Sequence, residues 1–511
     1  MASNDTAAPT HSPTAPVTVT TSPPVTTSPA VYDTSIGVGV DANGFANLPL
    51  RPGARRFFVS SATGSDGNGC SGAQQPTTPL RTIAAARGCV QGGNGDQIMI
   101  AEGTSYAEGL TNMQAQMGYS AAYPTVIQSY DPADPTNEAK YGRAANGRRP
   151  VINTGGNLQL ITCCGSNANN FLAIRGLDFN PGDKPDMIVS FVGSDSYILI
   201  ENNIFRYTTL TFDSGSSPRS TNHVVRKNAF FGEWSASAHA QGLYDAGTDN
   251  LVVEDNVFWH NGWRLGVSRD EPVATGGPTI FRHPIYAQTN DNGILVRRNL
   301  FMDGSADGSS LRGNAILFTE NVSIDNPIGV GVGGGVNYNI ENPNGVTIEV
   351  SYNAFLGDAD ITSSLPRGMA IVTSNGRSGS SAHDNLIARS RNPNGVNVSA
   401  FLTGADFNQP SYMAYDRNVV YQWAAPDRVF TAGGVAGQEF PTYTNNIWDA
   451  PASGTNLNIS SKTFANPYTA AQLFTALGCG DKTSCAARMV DTPELGWAAK
   501  ARALLWQGYG L

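Results

Sequence analysis

Short apolar runs that close on an asparagine, followed by an apolar residue and often an aromatic, recur along the middle of the chain. They read ILIENNIF to Phe205, VVRKNAF to Phe230, LVVEDNVF to Phe258 and ILVRRNLF to Phe301, and continue as ILFTENVS, IEVSYNAF, AHDNLIA, AYDRNVV and YTNNIW. The asparagines are Asn203, Asn228, Asn256, Asn299, Asn321, Asn353, Asn385, Asn418 and Asn446, spaced 25, 28, 43, 22, 32, 32, 33 and 28 residues apart. Recurrence at such a period marks a solenoid, in which each repeat buries its apolar face only by stacking on its neighbours. Each run is expected to be a strand ending in a tight turn, with the asparagine in the left-handed conformation. Stacked coils would lay the amides in a hydrogen-bonded ladder and the phenylalanines in a column inside. The fold expected is all-β, a right-handed parallel β-helix. An ordinary β-sandwich with turn asparagines is the other reading, and nine recurrences of one local pattern weigh against it.

The flanks of the repeat region read as caps. RFFVSSATGSDGNG, from Arg56, is a strand with a Gly/Asp turn; PLRTIAAARGCV is a short amphipathic helix; QIMIAEGTSY is the first coil strand. At the other end PELGWAAKARALLWQ, residues 493 to 507, is an amphipathic helix expected to close the last coil. The organisation expected is a Thr/Pro/Ser-rich linker over 1–35, a cap and first coil over 36–110, the β-helix over 111–465 and a C-terminal cap over 466–511. The opening, from the strand through Pro79-Leu80-Arg81-Thr82-Ile83 to the GDQIMIAEGTSY strand, resembles that of the pectate-lyase-like β-helix superfamily. The resemblance covers roughly residues 55 to 465 and implies the fold; the superfamily holds lyases, hydrolases, epimerases, esterases and adhesins, so it implies no single activity.

Composition narrows the partners. Charged residues are only 14% and glycines number 56, a balance that suits stacked strands and turns better than helices. The net charge of -9 argues against nucleic acid. An anionic ligand must therefore meet a local arginine cluster or a bridging cation. No apolar run reaches the length of a membrane span. The linker, extended in character, is of the kind that follows an export signal, so a secreted or cell-surface protein is expected, most simply a monomer. Of six cysteines, Cys70 and Cys89 bracket one segment and Cys479 and Cys485 another, fitting two local disulfides. Cys163 and Cys164 are adjacent and fit either a disulfide or buried thiols.

Candidate chemistry emerges when coils are aligned by their asparagines. Tyr244 stands twelve residues before Asn256, Tyr286 thirteen before Asn299, and Arg312 nine before Asn321, so these side chains belong on equivalent strands of consecutive coils. The one long gap holds an insertion, WHNGWRLGVSRDEPVATGGPTIFRH, at residues 259 to 283. Loops of a solenoid gather on one face, often the binding face. His239, His260 and His283, three of the six histidines, lie in these coils. Trp263 is a candidate to stack on a sugar ring, and Arg269 and Arg282 to pair with uronate carboxylates, with Tyr244, His260 and Glu271 lining the substrate. His283, Tyr286 and Arg312 are the candidate catalytic groups for β-elimination of an acidic polysaccharide, with Arg312 or Arg282 neutralising the carboxylate and His283 or Tyr286 moving protons.

Family patterns do not transfer cleanly. The β-helix alginate and chondroitin lyases use a lysine base with arginine and a calcium ion held by Asn and Glu, whereas Lys227 is the only central lysine here and lies on an asparagine-turn strand. Pectate lyases use aspartate-rich calcium sites; Asp245, Asp249 and Asp270 are the candidate ligands, with calcium as the candidate ion. Glycoside hydrolysis, which needs two carboxylates, is the alternative chemistry, drawing on Asp245, Asp249, Asp270 or Glu271. A non-enzymatic surface adhesin on a Thr/Pro stalk is the third reading. The GVGVGGGVN segment, 329 to 337, is expected to be a flat strip where chains approach closely.

Overall fold

The computed structural model describes residues 38–511 except 112–116, 145–146, 155–158, 164–169, 216–218, 238, 289, 334–344, 358, 390–397, 405–411, 424–429, 433–441, 449–458, 461 and 465. The linker and the 334–337 part of the glycine-rich run lie outside the described residues, as do Cys164 and the side chain of Cys163. The strands form three long parallel sheets of 13, 11 and 13 strands, and each coil adds one strand to each sheet. This is a parallel β-helix, as the spacing of the asparagines predicted. A typical coil runs from Thr248–Glu254 in the first sheet, through Asn256, to Val257–Trp259 in the third and His283–Ala287 in the second.

The turn between the first and third sheets holds the stack together. Each repeat asparagine is buried. The Asn256 backbone N–H and Nδ2 both donate to Oδ1 of Asn299 one coil on, at 3.0 and 2.9 Å, while Nδ2 also donates back to the Val225 carbonyl at 2.9 Å. The same pattern runs from Asn203 to Asn446. The left-handed residue, however, is not the asparagine but the one before it. Asn202, Lys227, Asp255, Arg298, Glu320, Tyr352, Asp384, Arg417 and Asn445 have φ between 51° and 58°. The amide must point into the stack to reach both neighbouring coils, so the sharp reversal falls one residue earlier.

Inside, the phenylalanines two residues after Asn203, Asn228, Asn256 and Asn299 stack on one another and on Phe179. Ring centroids of Phe179, Phe205, Phe230, Phe258 and Phe301 follow at 5.1, 4.8, 4.6 and 5.0 Å, close to the strand spacing. The runs before the asparagines are apolar on both faces because both faces are buried. Leu251 and Val253 join the central core, while Val252 faces outward with Leu199, Val224 and Leu295 beneath the N-terminal segment that carries Val38, Ala46 and Leu48. Beside that apolar stripe Arg175, Glu201, Arg226, Glu254 and Arg297 stand in register on successive coils, charges alternating. Arg226 reaches Glu201 at 2.7 Å and Arg297 reaches Glu254 at 2.7 Å. The Ala46 N–H donates to Glu201 at 3.0 Å, and Arg175 donates to the Ala46 carbonyl at 3.0 Å, which straps the segment down.

The N-terminal cap forms as expected: strand Arg56–Val59 pairs with Gln97–Ala101, and Thr82 caps helix Ile83–Cys89. Disulfides join Cys70 to Cys89 and Cys479 to Cys485. The C-terminal helices depart from expectation. Ala470–Ala476, Lys482–Asp491 and Trp497–Tyr509 lie along the outer face of the third sheet instead of closing the last coil. The three-residue strands of that sheet explain it: Ala229 and Phe231, Val257 and Trp259, Leu300 and Met302 point outward and need apolar cover. The N-terminal segment thus covers the first sheet from Val126 to Leu295 and the C-terminal helices the third, while the outer face of the second presents the half-buried side chains of Tyr244, Tyr286 and Arg312.

Replacing Asn299 by alanine strands the Asn256 N–H and the Val253 carbonyl in a water-free core. At about 1–3 kcal/mol per orphaned group, the variant should lose roughly 2–5 kcal/mol in chemical denaturation. An unchanged midpoint would show that the ladder does not hold the register.

Candidate active site

The outer face of the second sheet is built from strands Gln241–Ala246, His283–Ala287, Ser310–Leu311, Ile328–Val332 and Gly368–Thr373. Their register aligns Tyr244, Tyr286, Ser310, Gly331 and Val372 in one outward column. Tyr244, Tyr286 and Arg312 do fall on consecutive coils of one sheet. Ser310 stands opposite Tyr286, and Arg312 projects from the same face two residues on. The Tyr244 and Tyr286 rings stack at 6.0 Å, His283 lies 5.2 Å from the Tyr286 ring, and the Arg312 guanidinium sits 5.3 Å above it.

A groove of about 300 Å³ opens on this column, lined by His283, Asp307, Ser310, Arg312, Gly331 and Arg367. The exposed Ile280 stands at its rim and the buried Ile361 adds to its lining. Burial, helped by the nearby positive charge of Arg312, pushes the His283 imidazole down to about 3, so the ring is neutral at neutral pH. Its Nδ1 lies 3.7 Å from Asp307 Oδ2. Arg312 contacts the Tyr286 ring, and Arg367 donates to its neighbour's carbonyl; among the described residues neither has a carboxylate partner. A Cβ on Gly331 would meet Asp307 Oδ2 at 3.0 Å, so a side chain there would crowd that carboxylate. Asp307 and Arg367 did not emerge from the sequence as site residues. Arg367 precedes a short apolar run, GMAIV, whose strand pairs with IGVGV, but its local pattern does not mark it as facing the groove.

Most of the insertion candidates serve structure instead. Arg282 is fully buried and donates to the carbonyls of Ser235 at 2.6 Å and Gly277 at 2.9 Å, out of reach of a surface carboxylate. Trp263 is buried, its Nε1 donating to the Asp303 carbonyl at 2.9 Å and its ring packed against His260 and Arg269, so it offers no platform to a sugar. His260 is buried with Nδ1 3.4 Å from Asp303, and Arg269 reaches the same carboxylate at 3.1 Å. Burial works to raise the Asp303 carboxyl, but the hydrogen bond from His260 and the charges of Lys482 and Arg269 outweigh it and hold the group ionised. Glu271 is exposed on the loop and does not line the groove. The insertion is a braced wall.

The acidic candidates do not share a site. Asp245 is sealed in the fold, accepting from Thr248 at 2.7 Å, and burial and the neighbouring Asp291 push its carboxyl well up. Burial likewise raises Asp291 to about 6, so the pair holds a proton between its members. Asp249 pairs with Arg219 at 2.8 Å, and Asp270 accepts from the Ser363 N–H at 2.7 Å. This donor set does not fit a calcium ion, and among the described residues no three His, Cys, Asp or Glu side chains converge on a metal position.

No protein-family model and no curated protein matches the chain. Among solved structures it is similar to the GH136 lacto-N-biosidase from Eubacterium ramulus, at 13% identity over 80% of this chain and 67% of that one, with a TM-score of 0.37. The complex of XylC with xylose aligns at 11% identity over 80% and 86%, TM-score 0.47, and pectate lyase Pel9A at 12% over 80% and 80%, TM-score 0.34. At these values the likenesses bear on neither chemistry nor substrate, and the fold rests on the three sheets themselves.

Structural and groove-lining arginines should separate in thermal unfolding. Arg282→Ala orphans two or more buried carbonyls and opens a cavity, a loss of about 3–5 kcal/mol. Arg312→Ala, half-buried over a tyrosine ring, should stay within about 1 kcal/mol of the parent. Equal losses would contradict this division.

Proposed function

We propose that the protein is an exported polysaccharide lyase that binds a uronate-containing glycan along the outer face of the second sheet and cleaves it by β-elimination. One observation carries the reading: a single groove gathers a neutral imidazole, His283, with two arginines, Arg312 and Arg367, that lack carboxylate partners among the described residues. Two disulfides support export, since such bonds persist in oxidising compartments. Among the described residues no helix is long and apolar enough to cross a membrane.

β-Elimination needs the C5 proton removed, the adjoining carboxylate neutralised and a proton delivered to the leaving oxygen. In this reading Arg312 and Arg367 hold the uronate carboxylate and stabilise the charge that grows on it as the C5–H bond breaks. The His283 imidazole takes that proton. The electron pair forms the C4–C5 double bond and expels the glycosidic oxygen from C4, which receives a proton from the Tyr286 hydroxyl. Hydrolysis finds less support, because it needs two carboxylates flanking the bond and Asp307 is the only one among the described residues lining the groove.

The test is a panel of uronate polysaccharides followed by absorbance of unsaturated products alongside reducing ends, with and without chelator. Both signals should rise together, and His283→Ala and Arg312→Ala should each lower kcat/KM by about 10²–10³. Reducing ends without absorbance would establish a hydrolase, and glycan binding with neither signal an adhesin. The pH profile checks the base separately. A base must be deprotonated to act, so with His283 at about 3 activity should persist from neutrality down to about pH 5. An acid limb near the ordinary histidine value of about 6.5 would remove His283 from that role.

A further inference from the structure

A second cavity, of about 220 Å³, opens on the same face over the coils that precede the arginine-lined groove. Asp186, Thr211, Trp234, His239, Gln241 and Tyr244 are among its walls. Thr211 pairs in register with Tyr244, Tyr244 with Tyr286, and Tyr286 with Ser310, so both cavities lie on one line along the helix axis. Tyr244 stands two coils and Thr211 three coils before Arg312, roughly 10–15 Å at about 4.8 Å per coil. A single extended chain can therefore occupy both.

Their charges differ. The groove presents two arginines, whereas no arginine or lysine is among the described residues lining the second cavity, whose one carboxylate is the exposed Asp186. A uronate placed there would face the exposed Asp186 carboxylate, while the nearby cations are engaged elsewhere: Arg282 is buried on backbone carbonyls and Arg264 is paired with Asp183. An uncharged sugar would meet acceptors and donors for its hydroxyls in Asp186, Thr211 and Gln241, and an aromatic face in Tyr244.

Between the cavities stands Phe281, which is 59% exposed, the most exposed large apolar side chain among the described residues. Its backbone is fixed. The Phe281 carbonyl accepts from Gln241 Nε2 at 3.2 Å and lies 3.1 Å from His239 Nδ1, the next residue is the fully buried Arg282, and the preceding Ile280 rims the groove. His239 meets the phenyl ring edge-on at 5.6 Å. A rigidly mounted aromatic left in water at the junction of two subsites is suited to stacking on a sugar ring.

We propose that the Tyr244 cavity is a subsite for an uncharged sugar of the same chain whose uronate occupies the Arg312 groove, with Phe281 as the stacking platform at the junction. The substrate class is then a heteropolysaccharide in which uronates alternate with neutral sugars, not a homopolymer of uronate. This rests on the reading of the groove as a uronate site.

The experiment is calorimetric titration of the full chain, in a His283→Ala background that prevents turnover, with four hexasaccharides. Two alternate a uronate with a neutral sugar (glucuronate with N-acetylglucosamine, galacturonate with rhamnose), one is all galacturonate and one all neutral glucose units. At least one alternating probe should bind about tenfold more tightly than the galacturonate hexamer. Phe281→Ala should remove that advantage and leave the galacturonate hexamer within about twofold. The proposal is overturned if no alternating probe binds more tightly than the galacturonate hexamer, or if Phe281→Ala weakens every probe alike or none. Arg312→Ala reports on the groove independently. It should weaken all three uronate-bearing probes; if it does not while the Phe281 effect persists, the uronate reading of the groove fails and the neutral subsite stands.

Discussion

Everything on the surface of this molecule is set by a column of amides that water does not reach. Each asparagine from Asn203 to Asn418 accepts from one neighbouring coil and donates to both, leaving its amide satisfied and two backbones tied. Buried amides left unpaired are costly, so the ladder works in full or not at all. Its consequence is register. A slip of one residue would turn every inward side chain outward, and the ladder forbids it. That is why residues as distant in sequence as Tyr244 and Gly331 stand in one column, and why a groove can be assembled from strands that each contribute a single side chain.

The rest of the chain decides which face remains available. The first sheet is covered from Val126 to Leu295 by the segment carrying Val38 to Leu48, held to the alternating Arg and Glu column, and the third by the C-terminal helices. The second carries the loops. Its insertion, far from being loose, is pinned through Trp263, Arg269 and Arg282 to carbonyls and to Asp303, and so presents Ile280 and Phe281 from a firm base.

Arginine is the residue whose roles diverge most. Arg226, Arg297 and Arg298 bind carboxylates across coils, and Arg282 binds backbone carbonyls in a site without water. Arg312 lies over the Tyr286 ring and Arg367 reaches only its neighbour's carbonyl, and neither has a carboxylate partner among the described residues. In a protein of net charge -9, which repels a polyanion at a distance, two such arginines in one groove are the local exception that an acidic ligand requires.

The repeat was legible because it is local: an asparagine, an apolar residue and a phenylalanine within three positions carry the turn, the ladder and the core column, and their recurrence alone determined the β-helix and the pairing of Tyr244, Tyr286 and Arg312 coils. The position of the left-handed residue was not legible, since the residues before the asparagines include Lys227, Arg298 and Tyr352, types that do not advertise a positive φ. Nor was the choice among arginines and aromatics. Trp263 and Phe281 lie in the same insertion, and Arg282 adjoins His283, yet burial withdraws Trp263 and Arg282 and leaves Phe281 exposed. Burial depends on where the loop is pinned, and that is settled by contacts with Ser235, Asp303 and Gly304, tens of residues away in the chain. Arg367 and Asp307 entered the groove for the same reason: only the stacking of coils brings them beside His283. Local pattern determined the scaffold, and long-range packing alone decided which polar side chains face the groove and which brace the protein itself.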